Sequence, residues 1–233
     1  MITDTKQGMK FCLANLGMRP ALAILDPELT IELPANLTAW TGVDALTHAL
    51  EAYIVPALNP LCDGAALEAL KLISKWLEIA FDDPKNIHAR GGMLIGSCFA
   101  GIAFNKGLGL VHSISHMIGA EFNTQHGLTN AIILPAVMKF NLPTVQEKLP
   151  SISNAMGLNG SSPDLIIQEI ERKLEYVGIP RSLSEIGVPL ECKRRIAEKA
   201  MLDSATGTNP RATTVKEMEA VSYTHLRAHE TVA

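Results

Sequence analysis

Three short stretches of this 233-residue chain concentrate side chains that bind divalent metals, each embedded in apolar sequence. They are Gly42-Val43-Asp44-Ala45-Leu46-Thr47-His48, His112-Ser113-Ile114-Ser115-His116, and His126 followed at once by Gly127. On an α-helix, Asp44 and His48 share one face, one turn apart, so a carboxylate and an imidazole can grip the same ion. His112 and His116 repeat that spacing, and His126 follows across a Gly119 to Gln125 loop that can fold back. One aspartate and up to three histidines complete a first-row metal site.

The competing explanation is a structural polar network. For His88, in the polar stretch from Asp82 to Arg90, the structural role is the expectation. The other histidines differ, because their surroundings carry almost no charge. From Gly91 to Ala120 the only charged residue is Lys106. Burying several imidazoles and a carboxylate there costs several kcal/mol unless they satisfy one another or coordinate a cation. Metal binding is therefore the reading favoured by spacing.

The elements that must carry these residues are mostly helical. Pro34 opens a helix whose apolar Leu37, Leu46, Leu50 and Tyr53 keep helical periodicity as far as Pro56, and Asp44 and His48 ride on it. A second helix follows Asn59-Pro60, turns Leu67, Leu70, Trp76 and Leu77 inward, and stops at Asp82-Asp83-Pro84. The uncharged run from Gly91 to Asn105 is shorter than the roughly 20 residues of a membrane span and reads as a buried helix, with Gly91-Gly92 marking close helix packing. Ser162 with Pro163 caps a later helix that Gly178 ends, Leu190 to Leu202 forms another, and Thr214 with Glu217 forms a capping box. Phe11 to Leu16 and Ala21 to Leu25, bounded by Gly17, Pro20 and Pro27, predict two short strands.

Composition excludes several classes. With 47% hydrophobic and 19% charged residues the chain is of globular type, not a disordered tail. A net charge of -4 without any basic stripe argues against a nucleic-acid partner. The four cysteines, Cys12, Cys62, Cys98 and Cys192, form no C-x-x-C pair, which fits reduced thiols in the cytoplasm. No signal-peptide pattern opens the chain, and no membrane association is expected.

The runs Thr41 to Tyr53, Gly107 to His116 and His126 to Ala131 closely resemble the iron-containing alcohol dehydrogenase family, a likeness extending from Ile2-Thr3-Asp4 through Ala23 to Pro27 and on to Thr208-Asn209-Pro210-Arg211. The resemblance implies a mainly α fold. It would be the helical metal-binding domain of the dehydroquinate synthase-like, iron alcohol dehydrogenase architecture, with strand remnants of an amino-terminal α/β domain. It also implies a metal-dependent, NAD- or NADP-dependent interconversion of a small primary alcohol and its aldehyde, in a homo-oligomer when full length. By the same resemblance Asp44, His48, His112 and His126 are the ligands of Fe2+, with Zn2+ equally compatible with the donor set. His116 falls beside the nicotinamide as the catalytic proton relay, and Lys10 falls on a cofactor-contacting position.

The family's glycine-rich pyrophosphate turn has no counterpart here, so residues 1–30 read as the end of a nucleotide-binding domain and residues 31–221 as the metal-binding domain of a longer enzyme. Residues 222–233 lose the resemblance and read as a non-native tail, which sets His225 and His229 aside. Two alternatives stay open: an inactive metal-binding module, or a metal-dependent hydrolase, which lacks the supporting H-E-x-x-H glutamate.

Overall fold

Helix α1 (Ala35–Ile54) is the axis of the domain. In the computed structural model, which describes residues 1–13, 15–18 and 20–224, it packs against α2 (Pro60–Asp82), α3 (Ile87–Ala103) and α5 (His126–Asn141). Contacts on several sides explain why its apolar residues are not confined to one stripe: Val43, Leu46, Ala49, Leu50 and Ile54 are all buried. The last carbonyls of α1, which lack intrahelical donors, are met by two lysines. Lys106 donates to the Tyr53 carbonyl at 3.1 Å and pairs with Asp63, while Lys148 donates to Tyr53 and Val55 at 2.7 and 3.0 Å. This end of the helix is thereby anchored, and with it the register of Asp44 and His48.

The expected capping residues act as such. Asn59 accepts from the Cys62 amide at the start of α2, and Ser162 accepts from Leu165 at the start of α7 (Pro163–Tyr176). Gly178 follows α7 with φ +72°. Thr214 and Glu217 exchange reciprocal bonds before α9 (Val215–Thr224). Between these lie α4 (Leu110–Phe122), α6 (Leu149–Ala155) and α8 (Lys193–Ala200).

Several expectations need correction. The strands are β1 (Ile2–Asp4) and β2 (Met9–Phe11), an antiparallel hairpin packed on α4. Cys12, Leu13 and Asn15 are not in a strand, Leu16 begins a 3-10 turn, and Ala21 to Leu25 forms no strand, because among the described residues none lies beside it to complete a ladder. Leu22 and Ile24 are exposed there. Helix α3 is not buried all round. It seats a small-residue stripe, Gly92, Gly96, Ala100 and Ala103, against its neighbours, while Ile95 and Ile102 face outward. A Cβ on Gly92 would lie 2.6 Å from Trp76 Cγ, so glycine is what permits the close α2–α3 packing. The segment Leu190 to Leu202 is a short 3-10 turn (Leu190–Cys192) leading into α8, not one helix. Gly119 belongs to α4, and the reversal occurs at Asn123 (φ +53°) to Gln125. Helix α9 continues to Thr224 with Ser222 buried, past the boundary set at residue 222. His225 and His229 lie outside the described residues.

Candidate metal centre

Three helices deliver four donors to one point. Asp44 and His48 project from α1, His112 from the first turn of α4, and His126 is the first residue of α5. Donor atoms of these four side chains all lie within 4.8 Å of one another. The close approach of α5 to α1 depends on Gly127: a Cβ there would sit 2.9 Å from the Trp40 carbonyl carbon, closer still to its oxygen, and 3.1 Å from Asp44 Cβ. Glycine thus lets the two backbones touch where Asp44 and His126 must meet.

The donors are electrostatically prepared for a cation. Burial, opposed by the Asp44 charge, pushes the His126 imidazole down to about 4. Burial depresses His112 well below its ordinary value, so both rings keep free lone pairs at neutral pH. Asp44 is desolvated as well, yet the surrounding His48, His126 and His112 rings and the Asn130 amide outweigh that effect and hold it below the usual carboxylate range.

Three residues that sequence reasoning missed complete the arrangement. Glu51, fully buried on α1, places Oε2 2.6 Å from His112 Nδ1 and accepts from the Val111 amide at 2.7 Å through Oε1. When Glu51 is ionised, that bond makes Nδ1 the protonated nitrogen of His112 and leaves Nε2 for the site. Burial raises the Glu51 carboxyl to about 7 despite the opposing amides of Val111, Gly109 and His112. Asn130, one turn after His126, directs Nδ2 at three acceptors: Asp44 Oδ1 at 2.6 Å, His112 Nε2 at 3.2 Å and His126 Nε2 at 3.1 Å. Its own Oδ1 is buried without a hydrogen-bond partner among the described residues. An amide nitrogen has two protons, so three converging acceptors exceed what it can satisfy. A donor set of one carboxylate and three imidazoles, over-supplied with lone pairs, fits a divalent metal.

Asp203 is the third. Its Oδ2 lies 2.9 Å from His116 Nδ1 although the residues are far apart in sequence. The i, i+4 relation of Asn130 to His126 and the acidic character of Glu51 inside an apolar helix were available signals; Asp203 offered none. His116 stands outside the four-donor cluster, with its ring stacked on His126 at 5.4 Å and 14°. Lys10 comes from β2 to the flank of α4, where its ammonium would meet a Cβ on Gly119 at 2.9 Å, and burial lowers its pKa. Its charge is felt at His126, whose pKa it helps to lower. Phe104, exposed, packs its ring 5.2 Å from His48 at the edge of the site. His88 is exposed on α3, away from the cluster.

The fold and donor set define a mainly helical domain suited to a divalent metal. Residues 38–226 match the Fe-containing alcohol dehydrogenase family, C-terminal, and the chain belongs to that family. It is 39% identical to the NAD-dependent methanol dehydrogenase of Bacillus methanolicus over 94% of the chain and 59% of that protein. Identity to the NADPH-dependent butanol dehydrogenase of Clostridium saccharobutylicum is 37%, over 95% of the chain and 59% of the relative. The solved structure of a 1,3-propanediol oxidoreductase superposes with a TM-score of 0.84 at 39% identity, covering 86% of this chain and 55% of that one. The chain therefore spans about three fifths of the length of the curated relatives it matches.

Proposed function

We propose that this chain is the metal-binding part of an iron- and nicotinamide-dependent dehydrogenase that interconverts a small primary alcohol and its aldehyde. The observation that carries the reading is the convergence of Asp44, His48, His112 and His126 within 4.8 Å, in a chain of this family. These four side chains would hold the ion. Bound there, a divalent metal supplies Lewis-acid polarisation of the substrate oxygen.

The remaining work falls to the chain's own residues. Glu51 keeps His112 in the tautomer that presents Nε2. Phe104 gives the edge beside His48 an apolar wall that favours a small carbon skeleton over bulk water. His116, bonded to Asp203 through Nδ1 and outside the ligand set, takes or returns the substrate proton. Lys10 offers a positive charge to the cofactor from the flank of α4. NAD or NADP would be held largely by an upstream nucleotide-binding domain. The exposed Met18, Leu22, Ile24 and Leu29 are apolar surface that such a domain would cover. Relatives whose names specify NAD and NADPH leave both nucleotides consistent with the family. A hydrolase is less well served, because the buried Glu51 carboxylate faces His112 Nδ1 and not the Nε2 side where a water would need its base.

The test is metal analysis joined to activity. The purified chain, equilibrated with Fe2+ without oxygen, is expected to hold about one ion. Fused behind the nucleotide-binding domain of a methanol or propanediol dehydrogenase relative, it should oxidise short primary alcohols, whereas His116→Ala should lose rate and keep metal. A fused protein that is fully metallated but inactive with both nucleotides overturns the reading.

A further inference from the structure

The two histidines one turn apart on α4 are each tied through Nδ1 to a buried carboxylate, but the carboxylates come from different parts of the chain. Glu51 holds His112, the metal-side ring; Asp203 holds His116, the ring outside the cluster. Among the described residues, Asp203 is the one side chain that hydrogen-bonds His116.

Asp203 is not a mobile surface acid that happens to reach the ring. Its side chain is 4% exposed. Its other oxygen, Oδ1, accepts from the Ala205 amide at 2.9 Å, which fixes the carboxylate plane. The following residues fasten the same loop across α4 and the segment before it. Thr206 Oγ1 lies 2.8 Å from Ser113 Oγ and 2.7 Å from the Ala200 carbonyl, and Thr208 Oγ1 donates to the Leu108 carbonyl at 2.6 Å. Asn209 Oδ1 receives the Leu110 amide at 3.3 Å and the Asn141 side-chain amide at 2.8 Å. The loop is thus pinned at several points around the start of α4, and the Asp203 carboxylate is one more fixed contact in that clamp.

We propose that Asp203 is a positioning residue that locks His116 as the Nδ1–H tautomer, so that Nε2 is a hydrogen-bond acceptor beside the candidate metal centre. A neutral imidazole has one N–H and one lone pair, and a carboxylate on Nδ1 can only accept, so the proton must sit on Nδ1 and the lone pair on Nε2. The stacked His126 ring, 14° from parallel, restricts rotation of His116 about its Cβ–Cγ bond. The inference rests on the reading of His116 as the proton-handling group given above, but the tautomer itself is measurable without turnover.

The experiment uses the 15N-labelled full chain loaded with Zn2+, a diamagnetic probe, at pH 8, with long-range 1H–15N correlations of the imidazoles and His116 assigned by its loss in His116→Gln. Wild type is expected to show a protonated Nδ1 and an unprotonated Nε2. Asp203→Ala should move His116 toward the Nε2–H tautomer with unchanged zinc content. Asp203→Asn, a neutral isostere, should fall between the two because the charge-assisted bond is weakened but a carbonyl acceptor survives. An Nε2–H or doubly protonated His116 in wild type overturns the proposal, as does an unchanged Nδ1–H population in the variants or loss of zinc in Asp203→Ala. If the alanine variant does not fold, Asp203→Asn decides alone, and an unchanged Nδ1–H population refutes it. Failure of the dehydrogenase reading would show instead as an inactive fused enzyme with the tautomer as expected.

Discussion

Gly127→Ala is the most discriminating change, because it adds a single methyl group and alters no donor. That Cβ would lie 2.9 Å from the Trp40 carbonyl carbon and closer still to its oxygen, against 3.4–4 Å for ordinary contact. Both obstructing atoms are backbone, so no rotamer change relieves the clash, and α1 and α5 must separate by about half an ångström or more, as overpacking requires. Such overpacking costs roughly 1–3 kcal/mol, partly offset by about 1 kcal/mol from the better helix propensity of alanine. The net expectation is a destabilisation of about 0–2 kcal/mol in the metal-free chain, against a gain for an unobstructed helical glycine. The larger effect falls on the site, since the moved helix carries His126 while Asp44 stays with Trp40 on α1. Metal affinity should drop about 10–100-fold, the scale on which displaced supporting groups act. Urea denaturation with chelator reads the first quantity and competitive metal titration the second. Gly64→Ala in α2 is the control: a Cβ there meets nothing within 4 Å, and the chain should gain up to about 1 kcal/mol with unchanged metal affinity. If Gly127→Ala behaves like Gly64→Ala in both assays, the argument that glycine sets the α1–α5 spacing is wrong.

Other changes probe the donors directly. His112→Ala and His126→Ala each remove one bond to the ion and should lower metal occupancy sharply, and Asp44→Asn should do so by removing the anionic donor; equal occupancy by metal analysis in all three and wild type would refute the donor assignment. Glu51→Gln should weaken metal binding about 10–100-fold, since an amide holds the His112 tautomer less firmly than a carboxylate; unchanged affinity in competition titration counts against the role given to Glu51. In the metal-free chain, His126 is depressed to about 4, so the unfolded state binds its proton first as pH falls. This contribution destabilises the chain progressively from about 6.5, the unfolded histidine value, down to about 4. Glu51, raised to about 7, has the opposite sign, because the folded state holds its proton and stability from this group is lost as pH rises from about 4.5 to 7. Glu51→Gln should therefore steepen the loss of stability on acidification between pH 6.5 and 4.5 in chelator-treated urea titrations, and a flatter profile would contradict the signs.

Local chemistry made much of the helical frame legible. Asn59 before Pro60, Ser162 before Pro163 and Thr214 with Glu217 mark helix starts through bonds within three residues, so the information lies in the sequence window itself. The pairing of Asp44 with His48 on one helical face is likewise a consequence of helix geometry alone. A strand exists only where a second one supplies its hydrogen bonds, which local composition does not reveal. The run Ala21 to Leu25 has the composition of a strand but no partner among the described residues, whereas Ile2–Asp4 finds Met9–Phe11 across a turn. Helix α3 exposes Ile95 and Ile102 for a related reason: an apolar sequence does not reveal which faces of a helix a neighbour covers.

Most of the long helices, several of their caps, and donor residues one turn apart are thus written in short windows of the chain. Packing between helices is what brings donors from α1, α4 and α5 to one place, makes Gly127 necessary for their approach, and sets Glu51, Asn130 and Asp203 beside them. Those contacts join residues separated by dozens of positions, and no periodicity or capping rule carries information over such distances, because they form only when separate helices pack around a common core.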